Sequence, residues 1–145
     1  MTGCEIALLA LTMNIYMEAR GEPITGRQAV MDTTLTRVIE KHRGDDNVVD
    51  VVLHPAQFSW VKERKVKNAF DLMSLQDAIL HSKKTKPADI VSYRKAEALA
   101  RKGLAKHYKR LYKFKYFNTV KIDPSIKRNE GKSGYRIGNH IFYRY

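Results

Sequence analysis

Two acidic residues near the N-terminus, Glu18 and Glu22, have the side-chain type that general acid–base chemistry uses. Residues 6–13, which precede them, are apolar almost all the way round, and such a run predicts a helix in the middle of a core. Helical spacing puts Glu18 on one face with Leu11 and Ile15, so its carboxyl group leaves a mainly apolar stripe. The pattern predicts a carboxyl group with little access to water.

The predicted end of this helix affects Glu18 in the same direction. Gly21 favours a C-terminal cap and Pro23 forces the residue before it toward extended geometry, so Glu18 lies in the last turn. The partial negative charge of a helix C-terminus disfavours an anion there. Desolvation and the helix dipole together predict a raised pKa, which suits a general acid that must hold its proton near neutral pH. The alternative is a structural acid paired with Arg20 or another cation.

Glu22 and Arg20 have simpler interpretations. Glu22 lies outside the helix, where a solvated or capping residue is more common than a second catalytic acid. Arg20 orients a carboxylate, binds substrate or forms a structural salt bridge, and the last is the commonest case. A second helix is predicted from a capping box with Thr25 as N-cap and Gln28 at the third helical position, and it extends to about Lys41. The two helices meet at the turn that contains both acids.

The chain has 145 residues and a formal net charge of +12, which predicts one domain spanning 1–145 and an anionic partner. Charge alone leaves nucleic acid, a membrane surface and a bacterial envelope open. The single cysteine, Cys4, excludes an internal disulfide, and the scattered histidines lack the spacing of a zinc peptidase, so no metal or cofactor is predicted. The apolar stretch 6–17 is interpreted as a core helix, because it lacks a basic n-region and is shorter than the about 20 residues that span a bilayer.

The middle of the chain predicts an aromatic loop followed by two helices. The loop, 56–60, comes after a proline and contains the amide of Gln57 and the rings of Phe58 and Trp60. Taken alone, the two rings are more typical of a core than of a ligand platform. Helices with apolar faces are predicted between Asp71 and Gly103, where they complete the core.

The C-terminal part predicts strands and a basic surface. Strands are expected at Tyr112–Val120 and Tyr135–Tyr143, separated by a turn-rich interval around 129–134. Seven basic residues between Arg101 and Lys115 alternate with aromatic ones, which a nucleic-acid-binding module would also show. A solvated helix face followed by a strand explains the same residues, so the pattern does not separate the two.

Three separated motifs resemble those of the SleB-type cell wall hydrolase family, which includes spore cortex-lytic enzymes and phage lysins. The first, residues 15–23, contains the Tyr-x-Glu-Ala-Arg-Gly-Glu pattern of that family. The second, residues 51–60, carries the Val-Val-Leu-x-Pro-x-Gln-Phe-Ser-Trp pattern complete, and the third, residues 137–143, matches the closing Ile-Gly-x-His-x-Phe-Tyr signature. One departure is that Tyr112–Lys115 replaces the family's Thr-x-Gly-Ala segment.

The resemblance implies an α+β fold related to lysozyme and lytic transglycosylases, mainly helical with a small antiparallel sheet near the C-terminus. It implies cleavage of the peptidoglycan glycan strand between N-acetylmuramic acid and N-acetylglucosamine, with Glu18 as the catalytic residue. It also implies the substrate-binding residues Tyr16, Arg20, Glu22, Gln57, Phe58, Trp60, Tyr116, Asn118, His140 and Phe142. Alternation along a strand puts His140 and Phe142 on one side, and which side faces Glu18 stays open.

The shortage of acids bears on the mechanism. Ordinary glycosidases use two carboxylates, whereas only Glu18 is a convincing candidate here, which favours a substrate that supplies its own nucleophile. Protonated Glu18 would donate to the glycosidic oxygen and then take the proton from the muramic acid C6 hydroxyl, giving a 1,6-anhydro sugar. Hydrolysis by a muramidase or glucosaminidase of the same family is the alternative. A basic nucleic-acid-binding module is the alternative from another class.

The biological setting is inferred from what the sequence lacks. Without an export signal or a wall-binding repeat, the chain is interpreted as a monomeric phage lysin made in the host cytoplasm. It would act on periplasmic peptidoglycan of a Gram-negative host, and it would need a holin or virion delivery to reach it. Its positive charge would favour contact with the anionic envelope.

Overall fold

A computed structural model describes residues 1–120 and 134–144. In this part of the chain six α-helices precede a three-stranded antiparallel sheet, which confirms the predicted, mainly helical α+β fold. The elements are α1 (Gly3–Ala19), α2 (Ile24–Ile39), a short 3-10 turn (His42–Gly44), α3 (Val48–Leu53), α4 (Ser59–Glu63), α5 (Ala69–His81), α6 (Pro87–Gly103), β1 (Tyr116–Thr119), β2 (Tyr135–Ile137) and β3 (His140–Tyr143). Among the described residues, no helix combines the length and the apolar character needed to cross a membrane.

Helix α1 runs through the centre of the helical core. Thr2 caps it, because the Thr2 side chain accepts from the Glu5 N–H while the Glu5 carboxylate accepts from the Thr2 N–H. Every residue from Leu9 to Tyr16 is buried, and the helix packs against α2, α3, α5 and α6. The apolar stretch therefore forms the predicted core helix, and it ends at Ala19, close to Gly21 as expected.

The predicted capping box of α2 is wrong. The helix begins at Ile24, one residue before Thr25, and Pro23 occupies the N-cap position without a side-chain hydrogen bond. The Pro23 backbone is extended, with ψ at 163°, and its carbonyl accepts the first helical hydrogen bond, from the Arg27 N–H at 3.0 Å. The helix has thus already started where the cap was expected, and it ends at Ile39, near its predicted end.

Helices α5 and α6 confirm the two helices predicted between Asp71 and Gly103. Asn68 caps α5, and Pro87 lies in the first turn of α6, where its missing N–H costs no helical hydrogen bond. Tyr93 of α6 is fully buried and meets Tyr16 of α1 edge-on, with ring centroids 5.5 Å apart. The two long helices α1 and α6 are therefore joined in one core, as expected.

The segment between α6 and β1 is organised by a buried acid instead of by a neighbouring strand. Asp32 of α2 accepts hydrogen bonds from the Leu111 N–H at 2.8 Å and the Tyr112 N–H at 3.0 Å. The Tyr108 hydroxyl donates to the same carboxylate. Because these N–H groups point to α2, the strand predicted from Tyr112 onward begins only at Tyr116.

The sheet places β3 between β1 and β2, and both pairings are antiparallel. The single strand predicted over Tyr135–Tyr143 is wrong, because the segment is a hairpin whose turn contains Gly138 at φ 59°. Glycine adopts this left-handed conformation without strain, which explains the break. His140 pairs with Thr119 of β1 on one side and with Ile137 of β2 on the other. Of the predicted turn-rich interval, 129–133 lies outside the described residues.

Candidate active site

A cavity of about 500 Å³ opens between the C-terminal end of α1, helix α2, the segment 56–63 and the sheet. We call it the Glu18 cavity. Five residues of its lining are among those predicted from the sequence, namely Glu18, Gln57, Phe58, Asn118 and His140. The fold therefore brings together parts of all three sequence motifs.

Glu18 lines this cavity from the last turn of α1. Burial raises the pKa of its carboxyl group from 4.5 to about 7, while Arg37 lowers that pKa and Glu63 raises it. The effect of burial is the largest of the three, as the apolar stripe predicted. A carboxyl group with a pKa near neutrality can donate a proton and, once ionised, accept one.

Arg37 is a buried cation in the wall of the Glu18 cavity, only 5% exposed. Its Nε–H donates to the Lys115 carbonyl at 2.8 Å, and its Nη1–H donates to Gln57 Oε1 at 3.4 Å. Its guanidinium lies 5.0 Å from the ring centroid of Phe58 and 5.7 Å from that of Tyr116. Burial lowers the pKa of Arg37 to about 10, so the group stays charged at neutral pH. It fixes both an amide and a ring of the lining.

Aromatic rings and amides stand side by side in the lining. The rings of Phe58 and Phe117 are tilted, with centroids 6.3 Å apart, and Phe117 meets the His140 ring edge-on at 5.3 Å. Gln57 and Asn118 supply amide groups next to these rings. This combination suits a sugar, because rings pack against pyranose faces while a few placed polar groups bind hydroxyl and acetamido groups.

Glu22 holds His140 from outside the lining. The Glu22 side chain, 8% exposed, places Oε1 2.9 Å from His140 Nδ1, and the same oxygen accepts from the Asn139 N–H at 3.0 Å. A Cβ at Gly138 would collide with the Glu22 carboxylate, so the turn needs a glycine for space as well as for its φ angle. Burial lowers the pKa of His140, and Glu22 acts against that shift. This anchoring position agrees with the supporting role expected of Glu22, and direct substrate binding by it stays a prediction.

Trp60 lies in the core and does not line the Glu18 cavity. It belongs to α4, which begins at Ser59, so the predicted aromatic loop is shorter than expected. The indole is 5% exposed, and its Nε1–H donates to Asn14 Oδ1 at 2.9 Å. Asn14 in turn donates from Nδ2 to Thr34 Oγ1 at 3.0 Å. Trp60 therefore links α4 to α1 and α2, and the need of its N–H for a buried partner explains its position.

Tyr16 and Arg20 also lie away from the Glu18 cavity. They are four residues apart and share one face, because Arg20, the C-cap residue after α1, keeps helical backbone angles. Arg20 Nη1–H donates to the Tyr16 hydroxyl at 2.7 Å. Both line a second cavity, on another side of the helix. Glu18, two residues from each, cannot share their face because successive helical residues are rotated by about 100°. One sequence motif therefore serves two cavities.

Tyr116 and Phe142 do not line the Glu18 cavity but contact residues that do. Tyr116 meets His42 edge-on, with ring centroids 5.6 Å apart, and lies under the Arg37 guanidinium. Phe142 is fully buried and packs against the ring of Phe117 at 5.3 Å. His140 and Phe142 do share one side of β3, as alternation predicts, but only His140 reaches the cavity. Substrate binding by the half-buried Tyr116 ring and the buried Phe142 ring stays a prediction.

Sequence reasoning missed three charged residues of the lining, Arg37, Lys62 and Glu63. The signal for Arg37 was present, because it lies two turns after Val30 on a helix face that is otherwise apolar or hydroxylated. Lys62 and Glu63 stand in a run of charges that resembles any solvated helix end, so nothing singled them out. Within the described ranges, no group of three or more His, Cys, Asp or Glu side chains is placed to hold a metal ion.

Comparison with known families gives a match over most of the chain. Residues 21–143 match the family described as cell wall hydrolase. The chain belongs to this family, which confirms the SleB-type resemblance and supports a peptidoglycan-degrading function. The matched range includes Gln57, Asn118 and His140, and it begins three residues after Glu18. No curated protein and no solved structure was found to match.

Proposed function

We propose that this protein cleaves the glycan strands of peptidoglycan as a lytic transglycosylase, with Glu18 as general acid and then general base. One observation supports this above the others. Burial raises the pKa of Glu18 to about 7, and the cavity that it lines contains rings and amides suited to sugars. The family match favours this enzyme over the nucleic-acid-binding alternative.

The proposed reaction needs one carboxyl group and balances without water. Protonated Glu18 gives its proton to the oxygen between C1 of N-acetylmuramic acid and O4 of N-acetylglucosamine, and the C1–O4 bond breaks. The Glu18 carboxylate then takes the proton from the muramic acid C6 hydroxyl as O6 bonds to C1. Glu18 ends protonated, as it began, and the products are a 1,6-anhydro-muramyl end and a free O4 hydroxyl. A pKa near 7 lets the same group serve in both steps.

The lining residues orient the sugars in this proposal. Phe58 and Phe117 pack against pyranose faces, and Gln57 and Asn118 bind hydroxyl or acetamido groups. The buried charge of Arg37 stabilises Glu18 after it has lost its proton, because opposite charges attract strongly where water is scarce. General acid–base catalysis of this kind contributes about 10² to 10⁴ in rate.

Hydrolysis is the second candidate, and Glu63 is the observation that favours it. Glu63 is the last residue of α4, it lines the same cavity, and its charge raises the pKa of Glu18. An exposed carboxylate beside a protonated one is the arrangement that glycosidases use to activate water. In this alternative Glu63 is the base and Glu18 remains the acid.

Isolated Gram-negative sacculi, incubated with the protein in ¹⁸O-labelled water, separate the two candidates by mass spectrometry of the released muropeptides. Transglycosylation gives anhydro ends that are lighter by one water and carry no label, whereas hydrolysis gives reducing ends that carry one ¹⁸O. Glu18→Gln should abolish release in either case. Asp77→Asn serves as the control, because this exposed acid of α5 lies outside the cavity lining.

Each result has a definite meaning. Unlabelled anhydro ends from both the wild type and Glu63→Gln would support transglycosylation and exclude Glu63 as an essential base. Labelled ends that disappear in Glu63→Gln would establish hydrolysis instead. No release from the wild type would contradict both candidates.

The proposed setting is a phage lysin, made in the host cytoplasm and acting as a monomer on periplasmic peptidoglycan. The formal charge of +12 supports contact with an anionic envelope. Expression in a Gram-negative host with and without a holin tests this route. Lysis only when the holin is present would support it, and lysis without the holin would contradict it.

A further inference from the structure

A second cavity, of about 400 Å³, lies on the other side of the C-terminal end of α1 from Glu18. Tyr16 of α1 and Arg20, the C-cap residue directly after it, form one wall. Arg64 after α4 contributes to the lining, and the connection between α5 and α6 closes the cavity with Lys84 and Thr85. We call it the Arg20 cavity. Nothing in the mechanism proposed above uses it.

The Arg20 cavity is rich in positive charge. Of the residues that the structure describes, three cations, Arg20, Arg64 and Lys84, line it together with one acid, Asp89. Arg20 lies 3.5 Å from the Asp89 carboxylate, and its side chain remains 50% exposed. Arg64 and Lys84 are exposed, and neither has an ion-pair partner within the described part of the chain. The cavity therefore presents two uncompensated cations and one half-compensated one.

The donors converge on a space of defined size. The Arg20 guanidinium donates to the Tyr16 hydroxyl at 2.7 Å, and the Tyr16 side chain is itself buried, so this half-exposed cation has one well-positioned partner. Ser82 and Thr85 add hydroxyl groups between the cations. Fixed guanidinium groups recognise carboxylates by paired, charge-assisted hydrogen bonds. A volume of about 400 Å³ lies within the range of small-ligand sites, roughly 300 to 1,000 Å³.

We infer that the Arg20 cavity binds an acidic peptide with two or more carboxylates, the chemistry of the peptide stems that branch from peptidoglycan glycans. This inference rests on the proposed function for the choice of peptide. In this arrangement the Glu18 cavity binds the sugars, and the Arg20 cavity binds a peptide stem of the same polymer. Binding at both places raises the local concentration of glycan at Glu18.

The test is a calorimetric titration of the protein with an N-acetylated stem tripeptide, L-Ala-γ-D-Glu-diaminopimelate, at low salt. The wild type should bind it, and the double variant Arg64→Gln, Lys84→Gln should have a dissociation constant raised at least about tenfold, because two charge-assisted contacts are lost. The matched control is Lys67→Gln, Lys83→Gln, which removes the same net charge from exposed lysines outside the cavity lining. The control should bind like the wild type.

Several outcomes would overturn the inference. They are no binding by the wild type, equal weakening in both double variants, and equal binding of a stem peptide whose carboxylates are amidated. Competition by inorganic phosphate as strong as by the peptide would make the site a general anion site and contradict the peptide assignment. Glu18→Gln should bind the tripeptide like the wild type, because Glu18 lies outside the Arg20 cavity. A wild-type protein that binds the tripeptide but releases nothing from sacculi would refute the proposed reaction and leave this inference standing.

Discussion

The two cavities beside the end of α1 differ in how they hold charge. In the Glu18 cavity the main charges are buried, with Glu18 desolvated and Arg37 only 5% exposed. In the Arg20 cavity the cations are open to solvent, and Arg20 is half exposed. Glu18 and Arg20 are two positions apart at the end of α1, and the helical rotation sends their side chains to different sides. The other charges come from separate parts of the chain, Arg37 from α2 and Arg64 and Lys84 from the segments after α4 and α5.

This difference shows how burial changes the properties of a charged group. Desolvation changes the chemistry of Glu18, because it raises the pKa to where proton transfer is useful. Exposure leaves a cation able to attract and orient an anion without taking part in a reaction. We therefore expect substitutions in the Glu18 cavity to affect turnover and those in the Arg20 cavity to affect binding.

The largest expected effect is that of Glu18→Gln. Glutamine keeps the shape but carries no transferable proton, so the rate of muropeptide release should fall by about 10³-fold. The variant should fold like the wild type by circular dichroism, because an amide at this position has no ionised form to desolvate. The Asp77→Asn control should release muropeptides at the wild-type rate, and a fall of less than about tenfold in Glu18→Gln would contradict a catalytic role for Glu18.

The next effect is on stability against pH. Between about pH 4.5 and pH 7 the folded protein holds a proton on Glu18 that the unfolded chain has lost. The contribution of Glu18 is therefore fully present below pH 4.5 and is lost as the pH rises through 7, by about 3 kcal/mol. Urea unfolding over this range should show the free energy of unfolding of the wild type fall by that amount relative to that of Glu18→Gln, because glutamine does not titrate. A constant difference would contradict the desolvation of Glu18.

A smaller effect compares a buried hydrogen bond in the core with a half-exposed one at the Arg20 cavity. Trp60→Phe leaves Asn14 Oδ1 without its buried donor and should lower the free energy of unfolding by about 1–3 kcal/mol. Tyr16→Phe removes a bond to the half-exposed Arg20, whose N–H groups can turn to water, and should cost under about 1 kcal/mol. Thermal and urea unfolding measure both. Equal losses of unfolding free energy in the two variants would show that the exposure of a hydrogen bond does not set its contribution to stability.

The smallest effect is that of Arg20→Gln. Since Arg20 lies in the binding cavity and away from Glu18, KM for sacculi should rise about threefold while kcat stays unchanged. Steady-state rates at several sacculus concentrations separate the two parameters. A fall in kcat with constant KM would place Arg20 in the reaction and would remove the distinction between the cavities.

Much of the helical part could be predicted from the sequence, because its signals are local. The apolar run before Glu18 predicts a core helix, and Pro87 and the spacing of Leu72 and Ile79 predict α6 and α5. The raised pKa of Glu18 also follows from local pattern, since an acid on an apolar helix face must lose water when that face is buried.

The remaining features depend on contacts between distant residues. The strand at Tyr112 fails because Asp32, far away in the chain, binds its N–H groups. Trp60 and Asn14 are 46 positions apart in the chain, so no local sequence pattern predicts the hydrogen bond between them. Glu63 was overlooked because its neighbours are all charged, and only the fold brings it beside Glu18.

A carbon-13 NMR titration of the Glu18 carboxyl group tests most directly whether Glu18 carries its proton near neutral pH. The signal is assigned by comparing the spectra of glutamate-labelled wild type and Glu18→Gln. We expect a titration midpoint near 7. A midpoint near 4.5, the ordinary value for a glutamate, would contradict it.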